Sequence, residues 1–191
     1  MVKHKRIILA ITGASGAIYG LRALEMLNAL HIDVHLVISP LGARVLHEET
    51  GRQPVDLEQL AAHSYLPNDL AAPIASGSYP TDGMLIIPCS IKTLSGVANS
   101  YADNLVQRAA DVCLKEGRPL LLAVRETPLH SGHLDLLAKA ARAGATIFPP
   151  IPAFYGRPES IDDLVKATVG RMLARIGIHN DAYLPWGMDA D

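Results

Sequence analysis

The stretch Arg6-Ile-Ile-Leu-Ala-Ile-Thr-Gly-Ala-Ser-Gly-Ala-Ile-Tyr-Gly20 constrains the fold more than any other part of the chain. Ile7 to Ile11 form a short apolar run rich in β-branched residues, the pattern of a parallel strand buried on both faces. Gly13, Ser15 and Gly16 follow at once. They offer what an anion needs: backbone that no side chain blocks, a hydroxyl, and the free N–H groups of a helix start. Residues 17–30 carry Leu21, Leu24, Leu27 and Leu30 at helical spacing, so they read as the first crossover of an α/β sheet.

The turn is none of the commoner nucleotide or hydrolase signatures. Ser15 stands where G-x-G-x-x-G requires its second glycine, and the lysine of a Walker loop is missing. The order Gly13-Ala14-Ser15-Gly16 is also not the G-x-S-x-G of a nucleophile elbow. Taken alone it marks either an anion near a helix start or a tight turn without a ligand. The second strand, residues 33–39, ends in Ser39 and Pro40, without the acid that would hold an adenosine ribose. That weakens a dinucleotide reading and leaves room for a ligand with one phosphate, such as flavin mononucleotide.

Residues 41–50 read as a helix with Val45 and Leu46 inward. Glu49 near its end is most simply a solvated carboxylate. Residues 51–80 show weak periodicity and many turn formers, an irregular excursion in which Ala75-Ser-Gly-Ser78 is a candidate polar loop. Residues 84–90 form a third buried strand that runs into a second hydroxyl-rich corner, Ser90-Ile91-Lys92-Thr93. Two such corners at the carboxyl ends of neighbouring strands converge on one crevice, where open α/β sheets bind ligands. Cys89 beside it reads as a small buried residue.

Residues 94–117 read as helix, a kink around Asn99-Ser100-Tyr101, and a second helix from Asp103. On it Arg108 and Lys115 are seven apart and share a face, either solvated or ligand-binding. The fourth strand, 119–124, delivers Arg125 and Glu126 at its carboxyl end, pinned by Pro128. The pair suits anion binding and proton chemistry, or a structural ion pair. His130 and His133 have i, i+3 spacing and no third metal ligand, which argues against zinc. A helix over 134–143 and a fifth strand over 145–148 lead to a proline-rich loop, 149–158, that stiffens the setting of Phe154 and Tyr155. The last helix, 159–176, is opened by Ser160, Asp162 and Asp163 and carries Arg171. The tail beyond it, with Trp186, is a docking arm or frayed.

At 191 residues this is one domain, with 51–80 as excursion and 179–191 as tail. Only 19% of residues are charged while 49% are hydrophobic, an excess of apolar surface that favours oligomerisation. A net charge of −2 without a basic run argues against nucleic acid. The first apolar run is too short for a signal peptide or a membrane span. Cys89 and Cys113 lack a pairing pattern, which suits a reducing, cytoplasmic setting.

Gly13-Ala-Ser-Gly16 with Tyr19-Gly20, Pro88-Cys-Ser-Ile-Lys-Thr-Leu94, Arg108-Ala-Ala-Asp111, Arg125-Glu-Thr-Pro-Leu129 and Pro152-Ala-Phe-Tyr155 together resemble the UbiX/Pad flavin prenyltransferases. The resemblance extends from about Arg6 to Ile178. It implies an α/β, flavodoxin-like or Rossmann-like three-layer sandwich with a mostly parallel sheet. It also implies an enzyme that joins the dimethylallyl group of dimethylallyl phosphate to N5 and C6 of reduced FMN, without a metal. The product, prenylated FMN, serves a partner decarboxylase of the UbiD type. Family members assemble as dodecamers with sites at subunit junctions.

Carried over by position, Gly13, Ala14, Ser15, Ser39, Ser90, Ile91, Lys92, Thr93 and Arg125 match the family's FMN contacts. Tyr155 and Arg171 match its prenyl-phosphate contacts, with Arg108 and Lys115 as further cationic positions. Ser15, Glu49 and Glu126 match residues that handle protons or stabilise charge around the flavin, and Lys115 joins them as a candidate catalytic cation. Gly156 departs from the pattern, since several relatives carry His there, and the excursion is shorter than in some members. Two rival readings are an FMN-dependent decarboxylase of cysteine-derived substrates, whose early histidine motif His31 and His35 do not reproduce, and a flavin carrier without catalysis.

Overall fold

The computed structural model describes residues 5–187. Its sheet is built from β1 (Arg6–Ile11), β2 (Asp33–Ile38), β3 (His63–Tyr65), β4 (Gly83–Cys89), β5 (Leu120–Val124) and β6 (Thr146–Ile147). All five pairings are parallel, in the order β3-β2-β1-β4-β5-β6. β1 lies in register with β2 from Arg6 opposite Asp33 to Ile11 opposite Ile38, and with β4 from Ile7 opposite Gly83 to Ala10 opposite Ile86. Without the short edge strand β3, the order is that of a flavodoxin-like sheet.

The helices are α1 (Ala17–Ala29), α2 (Pro40–Thr50), α3 (Pro54–Glu58), α4 (Ile91–Ala98), α5 (Leu105–Lys115), α6 (Ser131–Arg142) and α7 (Ile161–Arg175). They cover both faces. One core packs Ile8, Ala10, Met84, Ile86 and Leu122 under α4, α5 and α6. The other packs Ile7, Leu9, Ile11, Leu85 and Leu121 under α1 and α7. Alternate residues of each central strand thus point to opposite cores, which is why these strands read as continuous apolar runs. Each fully buried aliphatic side chain contributes about 1.5–3 kcal/mol of transfer free energy.

Helix α1 buries Ala17, Gly20, Ala23, Leu24 and Leu27, a narrow stripe of small and branched residues. A Cβ on Gly20 would come 2.5 Å from the Ile87 carbonyl oxygen, so only glycine lets α1 sit this close to β4. Leu30 falls past the helix end and is exposed, so it does not extend the buried stripe expected of it. An Arg22–Asp162 ion pair joins α1 to α7.

The excursion is more ordered than its composition indicates. It holds α3, β3 and a 3-10 turn over Pro73–Ala75. A five-residue helix and a three-residue strand are too short to write a period into the sequence. β3 exists because His63, Ser64 and Tyr65 find the open edge of β2. The two helices expected over 94–117 are α4, which begins three residues earlier than expected, and α5; they part at residues 99–104, and each has a side-chain cap, Ser90 for α4 and Asn104 for α5. Past α7 the arm is docked: Asn180 donates to the carbonyls of Gly170 (3.0 Å) and Ile178 (3.1 Å). The last part of the expected tail, 188–191, lies outside the described residues, as do residues 1–4.

Candidate functional site

Strand order reverses between β1 and β4, and outside their carboxyl ends a crevice of about 480 Å³ opens. Thr12, Gly13, Ser39, Ser90, Lys92 and Thr93 line it from three strand ends, and Pro67, Asn68 and Asn104 close its far wall. The two corners expected to converge do converge. A Cβ on Gly13 would collide with the Leu41 side chain, itself part of the wall, so the bare backbone is required for the crevice to keep its shape.

The link between the corners is Thr12, which sequence reasoning passed over. Its hydroxyl donates to the Pro88 carbonyl (2.8 Å) and accepts from the Ser90 amide (2.9 Å), in a setting 2% exposed. The residue ends a β-branched run and carries no periodic signal of its own. Pro67 and Asn68 were equally hidden, because their place in the wall depends on β3. Ser90 caps α4, its hydroxyl accepting from the Thr93 amide (3.3 Å). The first-turn amides of Ile91 and Lys92 therefore stand at an open, partially positive helix start.

Glu49 is not a freely solvated carboxylate. From the last turn of α2 it reaches across to the start of α1, accepting from the Gly16 amide (2.9 and 3.0 Å) and the Ala17 amide (2.8 Å). The helix-start amides expected to be free for a phosphate are therefore held by this carboxylate. Ser15, exposed at the tip of the same turn, keeps its hydroxyl available. Ala14 is buried beneath it.

Arg125 follows β5 directly, its amide donating to the Cys89 carbonyl (3.1 Å), with an exposed side chain. Glu126 accepts from the Thr127 amide (3.0 Å) and is also exposed. No Arg125–Glu126 salt bridge forms, so the structural-pair reading fails and both groups face solvent. Burial pushes the Cys89 thiol far above its ordinary range, which makes it an inert core residue. The His130 and His133 rings lie against each other at a tilt of 33°, with centroids 3.6 Å apart. Among the described residues no three His, Cys, Asp or Glu side chains gather as a metal site.

The remaining site residues lie elsewhere. Tyr155 and Arg171 share a cleft beneath the proline-rich loop, with Phe148, Thr168, Tyr183 and Leu184. The Arg171 guanidinium carbon lies 6.0 Å from the Phe148 ring centroid, and Trp186 packs edge-on against Tyr155 at 5.3 Å. Arg108 and Lys115 line neither cavity. Arg108 donates to the Ala75 carbonyl (3.0 Å) and pairs with Asp111 (3.2 Å), while Lys115 pairs with Glu116 (2.6 Å). The polar loop 75–78, a candidate ligand loop, instead packs on α5 and receives Arg118 at the Gly77 carbonyl (2.6 Å). One chain therefore displays three separate groups: the crevice, the Tyr155–Arg171 cleft, and the Arg108–Lys115 face.

A parallel α/β sandwich with a glycine-built crevice at its switch point defines a flavodoxin-like, nucleotide-binding class of protein. The model of the Flavoprotein family matches residues 1–173. The flavin prenyltransferase UbiX of Salmonella typhimurium is 51% identical over 185 residues, covering 95% of this chain and 98% of the relative. A UbiX solved in complex with FMN and dimethylallyl pyrophosphate superposes with a TM-score of 0.96 at 42% identity, over 98% of this chain and 100% of that one. A dodecameric FMN-dependent UbiX-like decarboxylase from Escherichia coli O157:H7 superposes at 0.93 and 43% identity, over 96% and 100%. The chain belongs to the Flavoprotein family, among its UbiX flavin prenyltransferases.

Proposed function

We propose that this chain is a flavin prenyltransferase that joins the dimethylallyl group of dimethylallyl phosphate to N5 and C6 of reduced FMN, with prenylated FMN as product. The observation that carries this reading is the pairing of a glycine-built nucleotide crevice with a separate aromatic and cationic cleft holding Tyr155 and Arg171. A flavin-binding protein without a second substrate has no use for that cleft.

In this reading the crevice takes FMN: Gly13, Ala14 and Ser15 lie against its phosphate end, and Ser39, Ser90, Ile91, Lys92, Thr93 and Arg125 hold the rest. The bare Gly13 backbone and the open start of α4 fit such a ligand. Reduced FMN supplies the nucleophilic N5 and C6. Arg171 and Tyr155 bind the allylic phosphate, and Arg108 and Lys115 add positive charge. As the C–O bond breaks its electron pair leaves on the phosphate, and cations placed there stabilise the separating charge. Aromatic and aliphatic walls keep water from the allylic cation. Ser15, Glu49 and Glu126 move the protons released and taken up as the two new bonds form.

Glu49 suits this role because the amides of Gly16 and Ala17 fix its carboxylate beside the turn that carries Ser15. Separation of the three residue groups on one chain supports sites completed by neighbouring subunits. A homododecamer is the assembly we propose, with the exposed Ile151, Phe154, Ile161 and Trp186 as apolar contact surface. The reading extends to a UbiD-type decarboxylase as the consumer of the product. It extends also to a cytoplasmic location, which free, buried Cys89 and Cys113 support. No helix among the described residues is long and apolar enough to cross a membrane.

The test is activation in trans. An apo-decarboxylase of the UbiD type, given the flavin made by this chain from reduced FMN and dimethylallyl phosphate, gains activity. Activation that occurs equally without the prenyl phosphate would reject the reading.

A further inference from the structure

No residue from Gln59 to Ala71 is buried, although the stretch runs between Leu57 and Ala72, which both are. It carries β3 and then Pro67 and Asn68, which close the far wall of the crevice. Among the described residues, three sets of hydrogen bonds hold it to the body of the protein. They are the β2–β3 ladder, the Leu105 amide donating to the Pro67 carbonyl (2.8 Å), and the contact of the Tyr65 hydroxyl with His35 Nδ1 (2.9 Å). β3 is an edge strand and pairs on one side only. A segment with so little buried surface and so few ties opens at a lower free-energy cost than the core strands beside it.

The latch beneath this segment is polar and incompletely satisfied. His35 is 1% exposed, and its Nε2 is buried without a hydrogen-bond partner among the described residues. Leaving that nitrogen unpaired costs free energy that opening recovers, because water then reaches it. Two of the rings around His35 belong to β3: His63 stacks at 4.9 Å and Tyr65 at 5.8 Å. The third, Tyr79, meets it edge-on at 5.4 Å and stays in place, since Arg118 donates to the Tyr79 carbonyl (2.9 Å) and the Arg6 guanidinium lies over its ring at 5.6 Å. The charged groups facing His35 are His63 on β3, Arg6 on β1 and Asp33 on β2, while Asp82 before β4 accepts from the Arg6 amide (2.8 Å). Burial, then His63, then Arg6 lower the His35 pKa to about 4, and Asp33 opposes them. Lifting β3 removes the burial and the His63 charge together, so the exposed ring regains its ordinary proton affinity.

We propose that residues 59–71 are a flap over the crevice, latched by His35 and Tyr65 as positioning residues, and that the flap opens to admit and release flavin. This rests on the assignment of FMN to the crevice. Pro67 and Asn68 leave the wall when β3 parts from β2, and the crevice mouth widens on that side. Because the open form takes up the His35 proton and the closed form refuses it, opening rises about tenfold per pH unit as pH falls from about 6.5 toward 4. Flavin release follows the same slope, since each departure waits on an opening.

The experiment combines amide hydrogen exchange, corrected for intrinsic rates, with stopped-flow fluorescence of FMN release, between pH 5 and 7.5, in the wild type, Tyr65→Phe and His35→Phe. The β3 amides are expected to exchange about 10²-fold or more faster than those of β1 and β4, as local opening requires. Tyr65→Phe, which loses one neutral hydrogen bond, should raise both β3 exchange and FMN release about five- to tenfold and keep the pH slope. His35→Phe should flatten that slope in both measurements. β3 amides that exchange only as slowly as those of β1 and β4, or FMN release indifferent to Tyr65→Phe, would overturn the flap. An unchanged slope in His35→Phe would overturn the latch. A protein that binds no FMN would reject the parent reading, and β3 exchange would still decide whether the flap opens.

Discussion

The amide of Ser90 donates to the hydroxyl of Thr12 across the switch point of the sheet, at 2.9 Å, while the same hydroxyl donates to the carbonyl of Pro88 at 2.8 Å. One buried side chain thus sets the spacing between the turn after β1 and the start of α4, the two elements that frame the crevice. Thr12→Val keeps the shape and strands both partners, so it should cost about 1–3 kcal/mol in denaturant unfolding and weaken FMN binding. Thr12→Ser should restore both. Flavin affinity unaffected by Thr12→Val would show that the corners hold their places without it.

Glu49 caps the start of α1, and in the proposed reaction it also handles a proton; the two tasks separate under mutation. Glu49→Gln keeps an oxygen to accept from the Gly16 or Ala17 amide, so stability should fall by no more than about 1 kcal/mol. Prenyl transfer should fall by about 10²-fold or more, because a proton-handling carboxylate is gone. Rapid-quench turnover beside thermal unfolding checks this. A loss of activity that merely tracks a loss of stability would reduce Glu49 to a helix cap.

Tyr155 and Arg171 lie in a cavity distinct from the crevice at the switch point, so under the proposed function their effects should be selective. Arg171→Ala and Tyr155→Phe should raise KM for the prenyl phosphate about 10- to 100-fold, the cost of a lost hydrogen bond to a charged group, with FMN affinity unchanged. Fluorescence titration of FMN read beside steady-state kinetics separates the two. Parallel loss of both ligands would contradict the division of the site.

Arg108 and Lys115 reach neither cavity of their own chain. Oligomers assembled from a mixture of Arg171→Ala and Lys115→Ala subunits should therefore regain activity that neither variant has alone. No recovery would mean that each chain builds its site unaided.

His35 makes stability depend on pH. It is 1% exposed, with Nδ1 2.9 Å from the Tyr65 hydroxyl and its ring 4.9 Å from that of His63. Burial first, then the neighbouring charges of His63 and Arg6, lowers its pKa to about 4. Above about pH 6.5 the ring is neutral in both folded and unfolded chains. As pH falls from there toward 4 the unfolded chain binds a proton that the folded one refuses, so stability should drop by on the order of 1 kcal/mol per pH unit. Urea midpoints between pH 4 and 7 check the slope, which His35→Leu should flatten.

The parts of this fold legible in the sequence were those with a local cause. β1, β4 and β5 are continuous apolar runs because helices cover both their faces, and Ser160 with Asp163 announces α7 as a capping box. Gly13, Ser90 and Thr93 could be placed together because strand ends in such sheets point one way, and Ser39 joined them through the family resemblance. What stayed hidden depends on partners distant in sequence. The three residues of β3 are a strand only because β2 offers an edge, and Pro67 and Asn68 reach the crevice only through β3. Thr12 acts through Pro88 and Ser90, which lie 76 and 78 residues away. The carboxylate of Glu49 finds its amides 32 and 33 positions back, a contact no helical period can indicate.

The most direct measurement is the mass of the flavin recovered after anaerobic incubation of the protein with reduced FMN and dimethylallyl phosphate. A flavin heavier by one dimethylallyl unit, absent when Glu49→Gln replaces the wild type, is the predicted result. FMN recovered unchanged from a protein that binds it tightly would contradict prenyl transfer.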